Sequence, residues 1–271
     1  MIEEDEEKAG AAVAEAPDDG AAPPPRKGQG RRVRCPACGG HGDQVEGKEG
    51  VCRCDGCAAL FLNPRPSAGE VLEKRNAHFK GALRRNHGAE IRRELEAAME
   101  AMRGYHQMVS GKEAALNAFG KKVLDVGCGL GFRMRECIHY GWTAVGLEPS
   151  ANARAYTGAL MLEVSGGDFE TPPPGSFDLV LMEDLIDEVP EPGKVAAAAR
   201  KILAANKGVL CVSVREPSPG EAEEATIPEG KLCRFDAESL QRLFMPLGFA
   251  APRVASDGGV LRLWFPAKGN S

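Results

Sequence analysis

From Lys121 onward the chain alternates short apolar runs with longer amphipathic stretches, the pattern of strands buried on both faces and connected by helices. The apolar runs predict strands at Val123–Val126, Thr143–Leu147, Leu162–Val164, Leu179–Met182 and Val209–Val214. The stretches between them predict helices near Phe132–Tyr140, Ala151–Leu160 and Gly193–Ala205, with another at Ala237–Leu247. Two last apolar runs, Ala250–Val254 and Val260–Phe265, follow the turn at Gly248 and read as an antiparallel hairpin. Strand and helix in alternation predict an α/β fold with a doubly wound, Rossmann-like sheet.

The amino-terminal part has a different texture. Residues 1–33 open on an acidic block, continue in Ala, Gly and Pro, and close on a basic patch of Arg26, Lys27, Arg31 and Arg32 that runs on into Arg34; they offer little to a core and predict a disordered tail. Residues 67–119 are helical in pattern. Ile91, Leu95, Met99 and Met102 form one stripe flanked by charge, which predicts an amphipathic helix laid on an apolar surface. His78, Phe79, His87, Tyr105 and His106 lie in this segment and are candidates to face a ligand. The resulting division is a tail (1–33), a cysteine-rich ribbon (34–66), a helical linker or cap (67–119) and an α/β domain (120–267).

Composition narrows the class. The chain has 271 residues, 43% apolar and 27% charged, with a net charge of −5, an unfavourable balance for a nucleic-acid binder. No apolar run approaches the ~18 residues of a membrane-spanning helix. The acidic amino terminus is unlike a secretory leader, so the expected location is the cytoplasm.

Nine cysteines are many for such a location, and five of them crowd between Cys35 and Cys57. Cys35-x-x-Cys38 and Cys54-x-x-Cys57 are two tight turns, each offering two thiolates to one tetrahedral zinc ion; four thiolates leave no open position, so the zinc is expected to be structural. Cys52 is an alternative to Cys54, two residues away on the same strand face.

The candidate binding chemistry is in Val123–Ser150. An apolar strand leads into Gly127, Gly129 and Gly131, a helix follows, and the next strand ends on Glu148. Glycines admit a ligand to the backbone, and an acid ending the second strand can accept from ribose hydroxyls. A dinucleotide motif needs its third glycine at the position of Phe132, so a pyrophosphate is the weaker reading. Open sheets place ligands at the carboxyl ends of their strands, which puts Met182, Glu183 and Asp184 at the site.

The G-x-G-x-G motif after Asp125, with Glu148 closing the next strand, resembles the first two motifs of class I S-adenosylmethionine-dependent methyltransferases. The ribbon followed by Phe61-Leu-Asn-Pro-Arg-Pro66 resembles a group of bacterial methyltransferases with a four-cysteine zinc ribbon and a similar phrase, over about residues 34–267. The resemblance implies a seven-stranded sheet and S-adenosylmethionine as cofactor. It implies Gly127, Cys128, Gly129 and Gly131 against the cofactor, Asp125 at its ammonium, Glu148 at its ribose, and Asp168 and Phe169 at its adenine. Asp187 and Glu188 stand where that group commonly has Glu and His. The missing imidazole leaves Glu183 or Asp184 as the candidate catalytic base.

Methyl transfer is an in-line displacement that depends mainly on alignment, which fits the lack of a catalytic triad. The expected acceptor is a small molecule: a sugar nucleotide, a lipid-linked or quinone-like intermediate, or a natural product. A ribosomal-RNA base is the alternative acceptor, with the zinc ribbon as RNA-binding module and Arg31, Arg32, Arg34, Lys74, Arg75, Lys80, Arg84 and Arg85 as phosphate contacts. A non-catalytic interaction protein is a further one, suggested by the absent histidine and by the Ala-Asn-Lys-Gly turn at 205–208.

Overall fold

The structure, a computed structural model, describes residues 33–110, 116, 118–204 and 208–269. The predicted tail up to residue 32, and Ala205, Asn206 and Lys207 of the turn noted above, lie outside the described residues. In chain order the elements are β1 (Val33–Arg34), β2 (His41–Gln44), β3 (Val51–Cys54), β4 (Leu60–Leu62), α1 (Ala68–His78), α2 (Gly88–Ser110), β5 (Lys122–Val126), α3 (Phe132–His139), β6 (Thr143–Leu147), α4 (Ala151–Ala159), β7 (Val164–Ser165) and β8 (Leu179–Glu183). They continue with α5 (Pro192–Ile202), β9 (Val209–Arg215), α6 (Pro219–Glu223), β10 (Cys233–Arg234), α7 (Ala237–Phe244), β11 (Arg253–Asp257) and β12 (Val260–Pro266).

Seven strands form one sheet in the order β11-β12-β9-β8-β5-β6-β7. From β7 to β9 neighbouring strands are parallel, whereas β12 runs antiparallel to both β9 and β11. This is the doubly wound sheet that the strand-helix alternation predicts, with the carboxyl-terminal hairpin inserted beside β9. The chain moves outward from β5 through β6 to β7 and resumes with β8 on the other side of β5, so the change of direction falls between β5 and β8. Ligands in open α/β sheets bind at that crevice. Every residue of β8 is buried, as a central strand covered on both faces requires.

The ribbon is a second sheet, ordered β1-β2-β3-β4-β10. Its last strand arrives from far along the chain: Cys233 stands opposite Phe61 and Arg234 opposite Leu60. Phe61 and Cys57 share one apolar cluster with Phe235, Leu240 and the strands of the large sheet.

Local signals set the helix starts. Ser67 and Glu70 form a capping box at α1, and Asp236 with Ser239 another at α7. On α2 the buried seam comprises Ala98, Ala101, Met102, Gly104 and Tyr105. Of the predicted stripe only Met102 is fully buried; Ile91, Leu95 and Met99 are half-buried. Small residues, Ala101 and Gly104, stand where Trp264 of β12 lies against the helix, its indole N–H donating to the Ala101 carbonyl at 3.2 Å, and Ile91 and Leu95 pack on a separate apolar cluster. Among the described residues no helix is long and apolar enough to cross a membrane.

Candidate active site

The glycine loop begins where β5 ends. Gly127, Gly129 and Gly131 all have positive φ (76°, 54° and 77°), a conformation that side-chain-bearing residues rarely adopt. At Gly131 a β-carbon would also lie 2.4 Å from a Leu162 methyl group, so glycine is required there twice over. The Gly127 amide donates to the Leu147 carbonyl at 2.8 Å, tying the loop to the end of β6.

Glu148, immediately after β6, is completely buried (0% exposed) and fully partnered. It accepts from the amides of Gly129 (3.1 Å) and Ser150 (2.8 Å), and from Nε (2.8 Å) and Nη2 (2.6 Å) of Arg75 on α1. Asp125 is equally enclosed. Arg133 of α3 grips both its oxygens through Nε and Nη2, donates to the Gly127 carbonyl at 3.1 Å, and pairs with Glu94 of α2. Burial pushes the Asp125 carboxyl up to about 6 in spite of Arg133. Cys128 is buried inside the loop, and burial, with Asp125 and Glu148 nearby, raises its thiol far above the ordinary value, the opposite of an activated nucleophile.

A cavity of about 650 Å³ opens in front of the loop. Gly127, Cys128 and Gly129 form its floor, Arg75 and His78 of α1 with Phe79 just after it one side, and Asp184, Glu188 and Lys231 another. The ribbon supplies Lys48, Val51 and Leu62.

The predicted residues occupy this geometry unequally. Phe169 lines the cavity, and the Arg75 guanidinium lies 5.3 Å from its ring centre. Asp168 is exposed, and its Oδ1 accepts from the Glu170 amide (3.1 Å) and the Thr171 hydroxyl (2.7 Å). Met182 is buried in the core beneath the site. Glu183 reaches the cavity but is held by Nε (3.1 Å) and Nη2 (2.8 Å) of Arg262 and by the Ser213 hydroxyl (2.8 Å). Burial would raise its carboxyl; Arg262 and Ser213 outweigh that and hold it below the ordinary range. The Asp184 side chain is 65% exposed and takes a 2.6 Å contact from Lys231.

Lys231 also reaches Asp187 (3.1 Å) and Glu188 (2.9 Å), so one ammonium serves three carboxylates. Burial pushes the Asp187 carboxyl up to about 7, because a third share of one cation does not offset desolvation and two like charges.

His78 and Phe79 face the cavity; His87 is buried, bonded to Glu90 (2.7 Å) and the Ala82 carbonyl (2.8 Å), and Tyr105 and His106 pack edge-on against Trp142. Sequence reasoning missed Arg133, Arg262 and Lys231, and placed Arg75 on a basic surface whereas it points inward. Only Arg133 carried a usable signal: it lies in the first turn of the helix that opens on the glycine loop.

In the ribbon the sulfurs of Cys35, Cys38, Cys54 and Cys57 all lie within 4.8 Å of one another. Backbone amides point at them, Ala37 to Cys35 and Gly40 to Cys38 at 3.4 Å, and Gly56 to Cys54 at 3.3 Å. Four converging thiols with amides aimed at sulfur are a donor set suited to zinc. Cys52 is not in this group: it lies on β3 opposite Phe61, buried in the ribbon.

Residues 91–252, well over half of the chain, match the family described as "Methyltransferase domain". Among curated proteins, the ubiquinone biosynthesis O-methyltransferase of Thiobacillus denitrificans is 33% identical over 93 residues, 31% of this chain and 40% of that protein. The protein of the same name from Psychrobacter cryohalolentis is 30% identical over 121 residues, 41% and 46% of the two chains. The chain thus spans less than half the length of these relatives. Among solved structures, an O-methyltransferase family protein from Burkholderia thailandensis superposes with a TM-score of 0.52 at 13% identity, over 75% of this chain and 68% of that one. A Haloferax volcanii complex between the Trm112 methyltransferase activator and a methyltransferase matches with a TM-score of 0.51 at 17% identity, over 72% and 98%. These two likenesses concern the fold alone.

Proposed function

The chain belongs to the family described as "Methyltransferase domain"; from that premise we propose that it is a class I S-adenosylmethionine-dependent methyltransferase that methylates a small-molecule acceptor held between the glycine loop and the ribbon. The observation that carries this reading is the cavity. Its far wall is built from Val51, Leu62 and Pro66 beside the ribbon and from Ile227, Pro228 and Leu232 of the segment leading into β10. A largely apolar wall closed by the chain's own segments suits a compact acceptor with an apolar body, its reacting group turned toward Asp184 and Glu188. The curated relatives carry the name ubiquinone biosynthesis O-methyltransferase, which supports small-molecule methylation in general.

The residues divide the work. The bare backbone of Gly127, Cys128, Gly129 and Gly131 makes room for the cofactor, Glu148 takes the ribose hydroxyls, and Phe169 and Asp168 flank the adenine. Asp125 contributes through Arg133, whose guanidinium braces the loop at the Gly127 carbonyl. S-adenosylmethionine supplies an electrophilic methyl group on a sulfonium. The chain's part is to align the acceptor with it and to exclude water. If the acceptor holds its proton at neutral pH, Asp184 is the accessible carboxylate to remove it, its side chain being 65% exposed beside Lys231, whereas Glu183 is buried and committed to Arg262. Cys35, Cys38, Cys54 and Cys57 hold a structural zinc that fixes the ribbon wall.

The test is calorimetry with S-adenosylmethionine, followed by a labelled-methyl screen of fractionated cell extract. Label in the small-molecule fraction is the expected result. Label in structured RNA overturns the acceptor class, and absence of cofactor binding overturns the site.

A further inference from the structure

Glu148 has no acceptor capacity to spare. A carboxylate offers about four lone-pair directions, and its two oxygens already receive four donors: the amides of Gly129 and Ser150, and Nε and Nη2 of Arg75. The amides belong to the fixed loops after β5 and β6. Only the two donors of Arg75 can leave, and a ribose diol would bring two donors of its own.

The Arg75 guanidinium also lines the cavity in front of the glycine loop, beside two aromatic rings. It lies 5.5 Å from the centre of the Phe79 ring and 5.3 Å from that of Phe169, a flat delocalised cation against two aromatic side chains. Nη2 also donates to the Gly127 carbonyl at 3.3 Å. We infer that Arg75 is a built-in competitor of the cofactor: its guanidinium fills the nucleoside pocket of the free enzyme and must swing out before adenosine enters. This rests on the assignment of Glu148 to the ribose made above.

The fold allows the movement. Helix α1 has no buried residues, although the Arg75 side chain itself is only 15% exposed, so the side chain can rotate without opening a core. A second partner is within reach: Glu188, with 32% of its side chain exposed, already takes Nη1 at 3.4 Å. Arg75 therefore has a carboxylate on the pocket side, Glu148, and another on the rim, Glu188. Cofactor entry moves the ion pair from the first to the second.

A pocket open only part of the time binds with an affinity reduced by the open fraction, so removing the plug recovers that factor. Calorimetry with S-adenosylhomocysteine and with adenosine on the full chain is expected to show Arg75→Ala binding about tenfold or more tighter than the parent. Arg75→Lys, which keeps the charge and loses the fork, is expected to fall between them. Glu188→Gln removes the rim partner and is expected to weaken binding in the parent and to have no effect on top of Arg75→Ala.

Thermal unfolding separates this role from a merely structural one. Arg75→Ala is expected to lower the unliganded Tm, since Glu148 loses its cation, and to enlarge the rise in Tm that S-adenosylhomocysteine produces. Binding by the variant equal to or weaker than that of a binding-competent parent overturns the inference and leaves the cofactor site standing. No binding by either protein overturns both.

Discussion

Cys233 and Phe61 face each other across an antiparallel pair, so a strand that follows the cavity wall completes the sheet of the cysteine ribbon. The Leu62 amide donates to the Leu232 carbonyl at 2.9 Å in the same seam. The ribbon and residues 226–232, which line the cavity, are thus one mechanical piece.

Loss of the proposed zinc is expected to travel along that seam. Cys38 is exposed, so Cys38→Ser costs little beyond its ligand role. Losing a structural metal is among the few single changes that exceed about 4 kcal/mol, a fall in Tm of roughly 8–16 °C for a chain of this size. Hydrogen exchange at Leu232 and Cys233 is expected to accelerate with it. Metal analysis near one zinc per chain in the parent, together with unchanged exchange at those amides in the variant, would sink the coupling.

Gly104 and Trp264 give a prediction whose sign opposes propensity. In an exposed helix, Gly to Ala stabilises by up to about 1 kcal/mol. Here the new β-carbon would sit 2.0 Å from the indole, and overpacking of that kind costs about 1–3 kcal/mol. Urea unfolding of Gly104→Ala is expected to show a net loss and a change in tryptophan fluorescence. A stabilised variant would mean that α2 does not pack on β12 as described.

Glu183 and Asp184 are neighbours with different expected phenotypes. Glu183→Gln leaves Arg262 buried without its counter-charge, a loss of about 3–5 kcal/mol by analogy with other buried pairs. Asp184→Asn leaves Lys231 two other carboxylates and is expected to change stability little while slowing methylation of a protonated acceptor. Equal Tm losses in the two variants would contradict the division between a structural and a reacting carboxylate.

Asp187 carries a pH signature. Its folded carboxyl is raised to about 7 from 3.8, so between those values the native state holds a proton that the unfolded chain has released. Stability from this group is therefore present below about 4 and lost as pH rises toward 7. Asp125, raised to about 6, acts in the same direction over a narrower window. The stability of Asp187→Asn relative to the parent is expected to rise between pH 4 and 7 and then level off. A pH-independent difference over that range would refute the raised carboxyl.

The sequence by itself determined whatever depends on neighbours along the chain. Strand-helix alternation sets the doubly wound sheet, because burial on both faces demands continuous apolar runs. Two C-x-x-C turns bring four thiols together, and Cys54 rather than Cys52 joins them because a tight turn pairs it with Cys57. The glycine spacing and Glu148 are legible for the same reason: loop, helix and acid lie within one strand-turn-helix-strand unit.

Only the tertiary structure decided which charges meet. Arg75 is 73 residues from Glu148, Arg262 is 79 from Glu183, and no local period links them. On α2 the predicted stripe does meet apolar surface, Met102 in the buried seam and Ile91 and Leu95 against a second cluster, and only the folded chain shows that Trp264 lies over Gly104. A buried carboxylate must find a cation or a proton; the sequence marks Glu148 only as an acid at the end of a strand, and the folded chain shows that it is buried and bonded to Arg75.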